Sequence, residues 1–289
     1  PGADLYRSLD ATPYSDELLE QLALRALAAE KLGTGAKIDL LAISFSAIDY
    51  VGHRWGPDSP EAHDGVTRVD RLIGELLRAA EAQAGAGNVL VVFSADHGVA
   101  PLPELSQERK MPGGRINWSA YASAAEAALA QRWGPGKWFA YSSDGVIYFN
   151  ADPVPGKKID RAEMQRVAAD AIRAQAHIFR VYTYSQLSSG AVGMDQVDQR
   201  VRNGFNLARS GDIFTVLDPY WIFSAAGTSH GSPYDYDAHV PVIFLGPQIR
   251  PGSYPHNIGV QDIAPTLATI LGIETPSGST GRVLDEMLR

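Results

Sequence analysis

Apolar residues recur at helical spacing in some stretches and form unbroken runs in others, and the alternation between the two predicts an α/β protein. Leu18, Leu19, Leu22, Leu27 and Leu32 follow Ser15, with Asp16 and Glu17 in the first turn and Gly33 beyond Lys31, so a capped helix is predicted there. Ile38 to Phe45 is apolar with little alternation, as in a strand covered on both faces. Ser59 and Pro60 open a second helix, whose Val66, Val69, Ile73, Leu76, Leu77 and Ala80 keep the period until Gly85. Asn88 to Ser94 follows as another buried strand. Strand, helix, strand with short connections predicts a parallel sheet carrying helices on its faces.

The pattern breaks between 99 and 213. Pro101, Pro103, Pro112-Gly113-Gly114, Pro135-Gly136, Pro153 and Pro155 cut this stretch into short pieces. It is predicted to hold a helix over 119–133, a strand over 145–150, and a helix opened by Asp160 with Glu163 in a capping-box arrangement. Core-like runs return at Ile213–Val216, Tyr220–Ser224 and Val240–Leu245, and a helix over 262–271 closes the layer. The expected organisation is a core of residues 1–98 and 214–289 with an inserted lobe over 99–213. A long insertion between two site-bearing strand ends is expected to stand beside the site and contribute to substrate access, the alternative being a surface elaboration remote from it.

Composition narrows the chemistry. The 289 residues are 45% hydrophobic and 20% charged, enough for a large buried core. Lys plus Arg number 25 against 33 Asp plus Glu, a net charge of −8 with no basic run, which argues against a nucleic-acid partner. There is no Cys, so thiolate catalysis, Cys-ligated zinc and disulfides are excluded and any metal must be held by His, Asp and Glu. No apolar run approaches the ~18 residues of a membrane span. The chain opens on Pro1 without a signal-like segment, as a processed chain or a fragment would.

Two segments directly after predicted strands carry the candidate chemistry: Asp49-Tyr50-Val51-Gly52-His53 and Asp96-His97-Gly98. Ligands of open parallel sheets bind outside the carboxyl ends of strands, where both segments fall. A carboxylate and an imidazole four residues apart can converge on one ion across a helical turn, and divalent cations such as zinc accept that mixture of oxygen and nitrogen. His230 follows the predicted strand at 220–224, within Gly227-Thr228-Ser229-His230-Gly231. His63, His177 and His256 have the look of solvated or structural residues, and His239 of a group behind the ligands. The His230 segment also satisfies Gly-x-Ser-x-Gly, the serine-hydrolase elbow. An elbow requires a helix right after the serine, and Ser232 to Asp237 has no helical pattern.

Together these stretches resemble the zinc-dependent alkaline phosphatase superfamily, the branch holding phosphate-irrepressible bacterial alkaline phosphatases and nucleotide pyrophosphatase/phosphodiesterases. The similarity runs through Ile48-Asp49-Tyr50-Val51-Gly52-His53 into Gly56-Pro57-Asp58-Ser59-Pro60-Glu61, then Ser94-Ala95-Asp96-His97-Gly98, Gly227-Thr228-Ser229-His230-Gly231 and Asp262-Ile263-Ala264-Pro265-Thr266. The resemblance implies a three-layer αβα sandwich with a largely parallel central sheet. It implies two zinc ions, one on Asp49, His53 and His230 and the other on Asp96 and His97 with upstream ligands. In the family's scheme one zinc activates the attacking oxygen and the other stabilises the leaving oxygen in an in-line displacement at phosphorus.

In that family a Thr or Ser nucleophile, with most phosphate-contacting residues, precedes the segment that Asp49 begins. Only 48 residues precede Asp49 here, so the chain resembles the C-terminal half to two-thirds of such an enzyme. Its expected partner is then the missing N-terminal segment, and its expected substrate a small phosphate ester. Thr228 and Ser229 are expected to shape the His230 loop rather than attack phosphorus. The implied activity is phosphomonoester hydrolysis through a phospho-Thr/Ser intermediate. The alternatives are phosphodiester hydrolysis and a non-catalytic metal-binding domain. Sulfatase chemistry is disfavoured by the absence of Cys. The resemblance implies a periplasmic or secreted location.

Overall fold

A computed structural model describes residues 2–289; Pro1, the expected start of a processed chain, lies outside them. The chain divides into two compact units, Pro1–Gly52 with Asp58–Gly98 and Val240–Arg289, and His53–Pro57 with Val99–His239.

In the first unit, helix Pro13–Ala29 packs on helix Pro60–Ala84. Ser59 opens the longer helix as expected, its hydroxyl accepting from Ala62 N, and Gly85 ends it at φ +93°. The shorter helix starts at Pro13 rather than at Ser15, and the face it buries takes in only part of the expected leucine stripe. Asp16, Glu20, Ala23 and Leu27 are buried, whereas Leu18 and Leu22 are exposed. Its C-terminal end is tied to the longer helix, because Gln83 Nε2 donates to Leu27 O in its last turn and to Leu32 O just beyond it, both at 2.7 Å.

The predicted strand over 38–45 forms no ladder among the described residues, and Ile38 and Leu40 are exposed. An apolar run encodes a demand for burial but does not by itself name the strand that pairs with it. The crossover that would make a parallel sheet from 38–45 and 88–94 is therefore not closed here. Val91–Ser94 instead pairs antiparallel with Val242–Leu245.

The second unit holds a four-stranded antiparallel sheet in the order Phe139–Ser143, Val146–Phe149, Ile213–Leu217, Ile178–Thr183. Helices Trp118–Trp133 and Arg161–Arg173 cover it, and Leu129, Trp138, Ile147, Ala168, Ile172 and Ile213 form its dry centre. Asp160 caps the second of these helices by accepting from Glu163 N at 2.9 Å, as its sequence signature predicts. Buried Asp212 fastens that helix to the sheet, accepting from Arg161 Nε and Nη2, Gln165 Nε2 and Phe149 N. A buried carboxylate is tolerable there because its lone pairs are all engaged. Gly114–Arg115 and Trp221–Ile222 form the one parallel ladder among the described residues.

Candidate metal centre

Asp49 and His53 stand on one helix, Ala47–Trp55, the acid in its first turn and the imidazole in its last. Residues four apart share a helix face. The tripeptide Tyr50-Val51-Gly52 buries its Val51 and Gly52, so the helix is held by packing between the two candidate ligands.

Within the first unit, Asp49, Asp96 and His97 come together. His97 Nε2 lies 3.9 Å from Asp49 Oδ1 and 3.6 Å from Asp96 Oδ2. Both separations are too long for direct hydrogen bonds. Neighbouring donors around a tetrahedral ion with bonds of ~2.0–2.1 Å would sit ~3.3 Å apart, close to what is seen. His97 Nδ1 is 2.8 Å from Gly98 O. A carbonyl oxygen only accepts, so Nδ1 carries a proton and Nε2 is the ring nitrogen that faces the carboxylates.

Within the second unit, His53 and His230 are brought ring to ring, centroids 4.9 Å apart and planes tilted by 44°. His53 repeats the tautomer of His97, with Nδ1 2.8 Å from Thr228 O. Thr228 N in turn donates to His53 O at 2.8 Å, and its hydroxyl donates to Ala100 O at 2.8 Å. Thr228 is 1% exposed, which makes this a dry, two-way clamp on the backbone and ring of His53. Gly227, at φ +63°, allows the close approach, since a Cβ there would collide with His53 O.

The His230 loop has a further support that the sequence did not disclose. Arg115 donates from Nη1 to Ser224 O and from Nη2 to Gly227 O, while Nε and Nη2 form a bidentate pair with Glu104. The guanidinium holds the Glu104 carboxyl below the usual carboxylate range. More than a hundred residues separate Arg115 from the carbonyls it binds, and no local spacing signals such a contact.

The serine-elbow alternative has no structural counterpart. No helix follows Ser229 directly; the next is the single turn Asp235–Ala238. His63, His239 and His256 are exposed, and His177 stacks on Trp221 with centroids 3.4 Å apart.

Imidazoles with backbone-fixed Nδ1–H, carboxylates set near one of them, and a two-histidine cluster fit a zinc-type donor set. The chain belongs to the type I phosphodiesterase / nucleotide pyrophosphatase family, whose model matches residues 6–239. It is 32% identical to alkaline phosphatase PhoV of Synechococcus elongatus over 98% of its own length and 51% of that protein. A Myroides odoratus protein named calcium-transporting ATPase is 31% identical over 98% of this chain and 52% of its own length. The crystal structure of wild-type alkaline phosphatase PafA matches with a TM-score of 0.90 at 29% identity, covering 97% of this chain and 54% of that one. The α/β fold is thus alkaline-phosphatase-like, and the chain spans about half the length of the curated relatives it matches.

Proposed function

We propose that this chain is the metal-binding part of a two-zinc phosphomonoesterase. In this reading Asp49, His53 and His230 hold one zinc, and Asp96 with His97 contribute to the second. The observation that carries it is the shared tautomer of His53 and His97, each donating Nδ1–H to a backbone carbonyl and so presenting Nε2 to an ion. When bound, the metal pair would neutralise charge on the transferring phosphoryl group and on the oxygens entering and leaving phosphorus. The chain's own part is orientation. The Thr228 carbonyl fixes the His53 ring, Arg115 fixes the loop bearing His230, and the helix Ala47–Trp55 sets the spacing of Asp49 and His53.

The nucleophile in this reading is a Thr or Ser supplied by sequence outside this chain, as is the rest of the phosphate pocket. Support comes from the half-length match to the relatives and from the exposure of Leu18, Leu22, Ile38 and Leu40, which gives a further segment an apolar face to cover. Core domain limits of 1–98 and 214–289, with 99–213 as a specificity-bearing lobe, complete the proposal.

Phosphomonoesters are preferred here over diesters because PhoV and PafA are named alkaline phosphatases and align along nearly all of this chain. The family description favours the diester reading instead. Rates of the complete polypeptide on an aryl phosphate and a bis-aryl phosphate decide between them: the account expects the monoester to be the better substrate, and a strong diester preference would overturn it. Zinc binding with no turnover by the complete polypeptide would instead establish a binding domain.

The proposed location is periplasmic or secreted. Among the described residues no helix is long and apolar enough to cross a membrane. Fractionation that left the native protein in the cytoplasm would refute the location.

A further inference from the structure

We infer that Asp16 is a positioning residue for the metal site, holding in place the first turn of the helix that carries Asp49 and His53; this rests on the zinc reading above. Asp16 projects from the buried face of helix Pro13–Ala29 and is 3% exposed. Its Oδ1 accepts from Ser46 N and from Ala47 N, both at 3.2 Å. Those two residues begin the helix Ala47–Trp55, so a side chain thirty positions away serves as its N-terminal cap.

The chemistry of that terminus explains why an acid stands there. The first N–H groups of a helix have no partner within it, and Ala47 is buried, so water is a poor substitute. A carboxylate at a helix N-terminus also meets the positive end of the dipole. Burial raises the Asp16 carboxyl above its usual range, and the two backbone hydrogen bonds, from Ala47 and Ser46, draw it only part of the way back. An apolar side chain would pack on this face as readily, as Ala23 and Leu27 do, but would leave two donors unmet.

Position then links the cap to the site. Asp49 lies two residues beyond Ala47, inside the turn that the cap holds, whereas His53 lies one turn further on and is tied to Thr228. Loss of the cap should therefore release Asp49 first. His53 keeps its own anchor.

The test measures zinc affinity of the full chain by chelator competition, beside amide hydrogen exchange of residues 46–50 in metal-free protein. D16A should lower zinc affinity about 10–100-fold, the usual cost of losing a group behind a ligand, and speed exchange at 46–50. D16N keeps an acceptor oxygen and should stay within about threefold of wild type on that scale. L76A, which loosens the same helix pair without touching the cap, should lower stability and leave zinc affinity unchanged. If D16A does not fold, D16S, whose hydroxyl is too short to reach both donors, takes its place with the same expectation. Unchanged affinity and exchange in D16A, or equal affinity losses in D16A and L76A, would overturn the positioning role. A wild-type chain that binds no zinc would overturn the metal reading itself, and that result is read before any variant is compared.

Discussion

His53 donates its Nδ1–H to the carbonyl of Thr228 at 2.8 Å, and Thr228 returns a hydrogen bond from its own amide to the carbonyl of His53. The pair joins a ring that arises near the start of the chain to a loop 175 residues later. Because the acceptor is main-chain carbonyl, the tautomer of His53 is set by backbone geometry and survives most changes of the Thr228 side chain.

That distinction predicts opposite outcomes for two neighbouring substitutions. Thr228→Val keeps the carbonyl and removes the hydroxyl that donates to Ala100 O, so it should cost about 1–3 kcal/mol of stability with little change in zinc affinity. Gly227→Ala places a methyl against His53 O in a left-handed backbone, so it should cost at least about 1–2 kcal/mol and weaken zinc binding as well. Thermal unfolding and chelator titration of both variants check the contrast.

Arg115→Ala should loosen the loop that carries His230. It deprives the Ser224 and Gly227 carbonyls of their donor and leaves Glu104 alone. The expected result is a zinc affinity lowered about 10–100-fold and a Glu104 carboxyl that returns upward to the usual range, followed by carboxyl NMR titration.

Stability at alkaline pH should depend on Tyr182. Burial first, and the neighbouring Asp198 second, push its phenol up to about 12. Between pH 10 and 12 the unfolded chain loses that proton while the folded chain keeps it, so stability falls as pH rises, by on the order of 2 kcal/mol. Tyr182→Phe should flatten this fall. It should also cost about 1.5–3 kcal/mol at neutral pH, because the phenol donates to Asp198 Oδ1 at 2.7 Å. Denaturant titrations at pH 8, 10 and 11.5 would show both effects, and an unchanged slope with pH would contradict the assignment.

Much of the secondary structure was legible where it rests on local chemistry. Ser59 with Pro60 and Asp160 with Glu163 mark helices whose caps are seen in atomic detail, and Gly85 ends a helix as its position implies. Long-range matters were not legible. The leucines at 18 and 22 advertise a buried stripe, yet the buried face is that of Asp16, Glu20, Ala23 and Leu27, because periodicity locates stripes without saying what covers each. Ile38 to Phe45 reads as a buried strand for the same reason, and no described strand pairs with it. The candidate ligands were visible as residue types after strands. Their supports, Thr228 O, Arg115 and Asp16, act through backbone atoms or across the chain and leave no motif.

The most direct test of the central claim is zinc-edge anomalous diffraction from crystals of the chain equilibrated with zinc, beside the His230→Ala variant. The account predicts a peak bonded to Asp49, His53 and His230, at ~2.0–2.1 Å from nitrogen and ~2.0–2.2 Å from oxygen, with a second, weaker peak at Asp96 and His97. His230→Ala should lose the first peak and keep the second. Zinc bound elsewhere, or the five side chains dispersed with no ion among them, would contradict it.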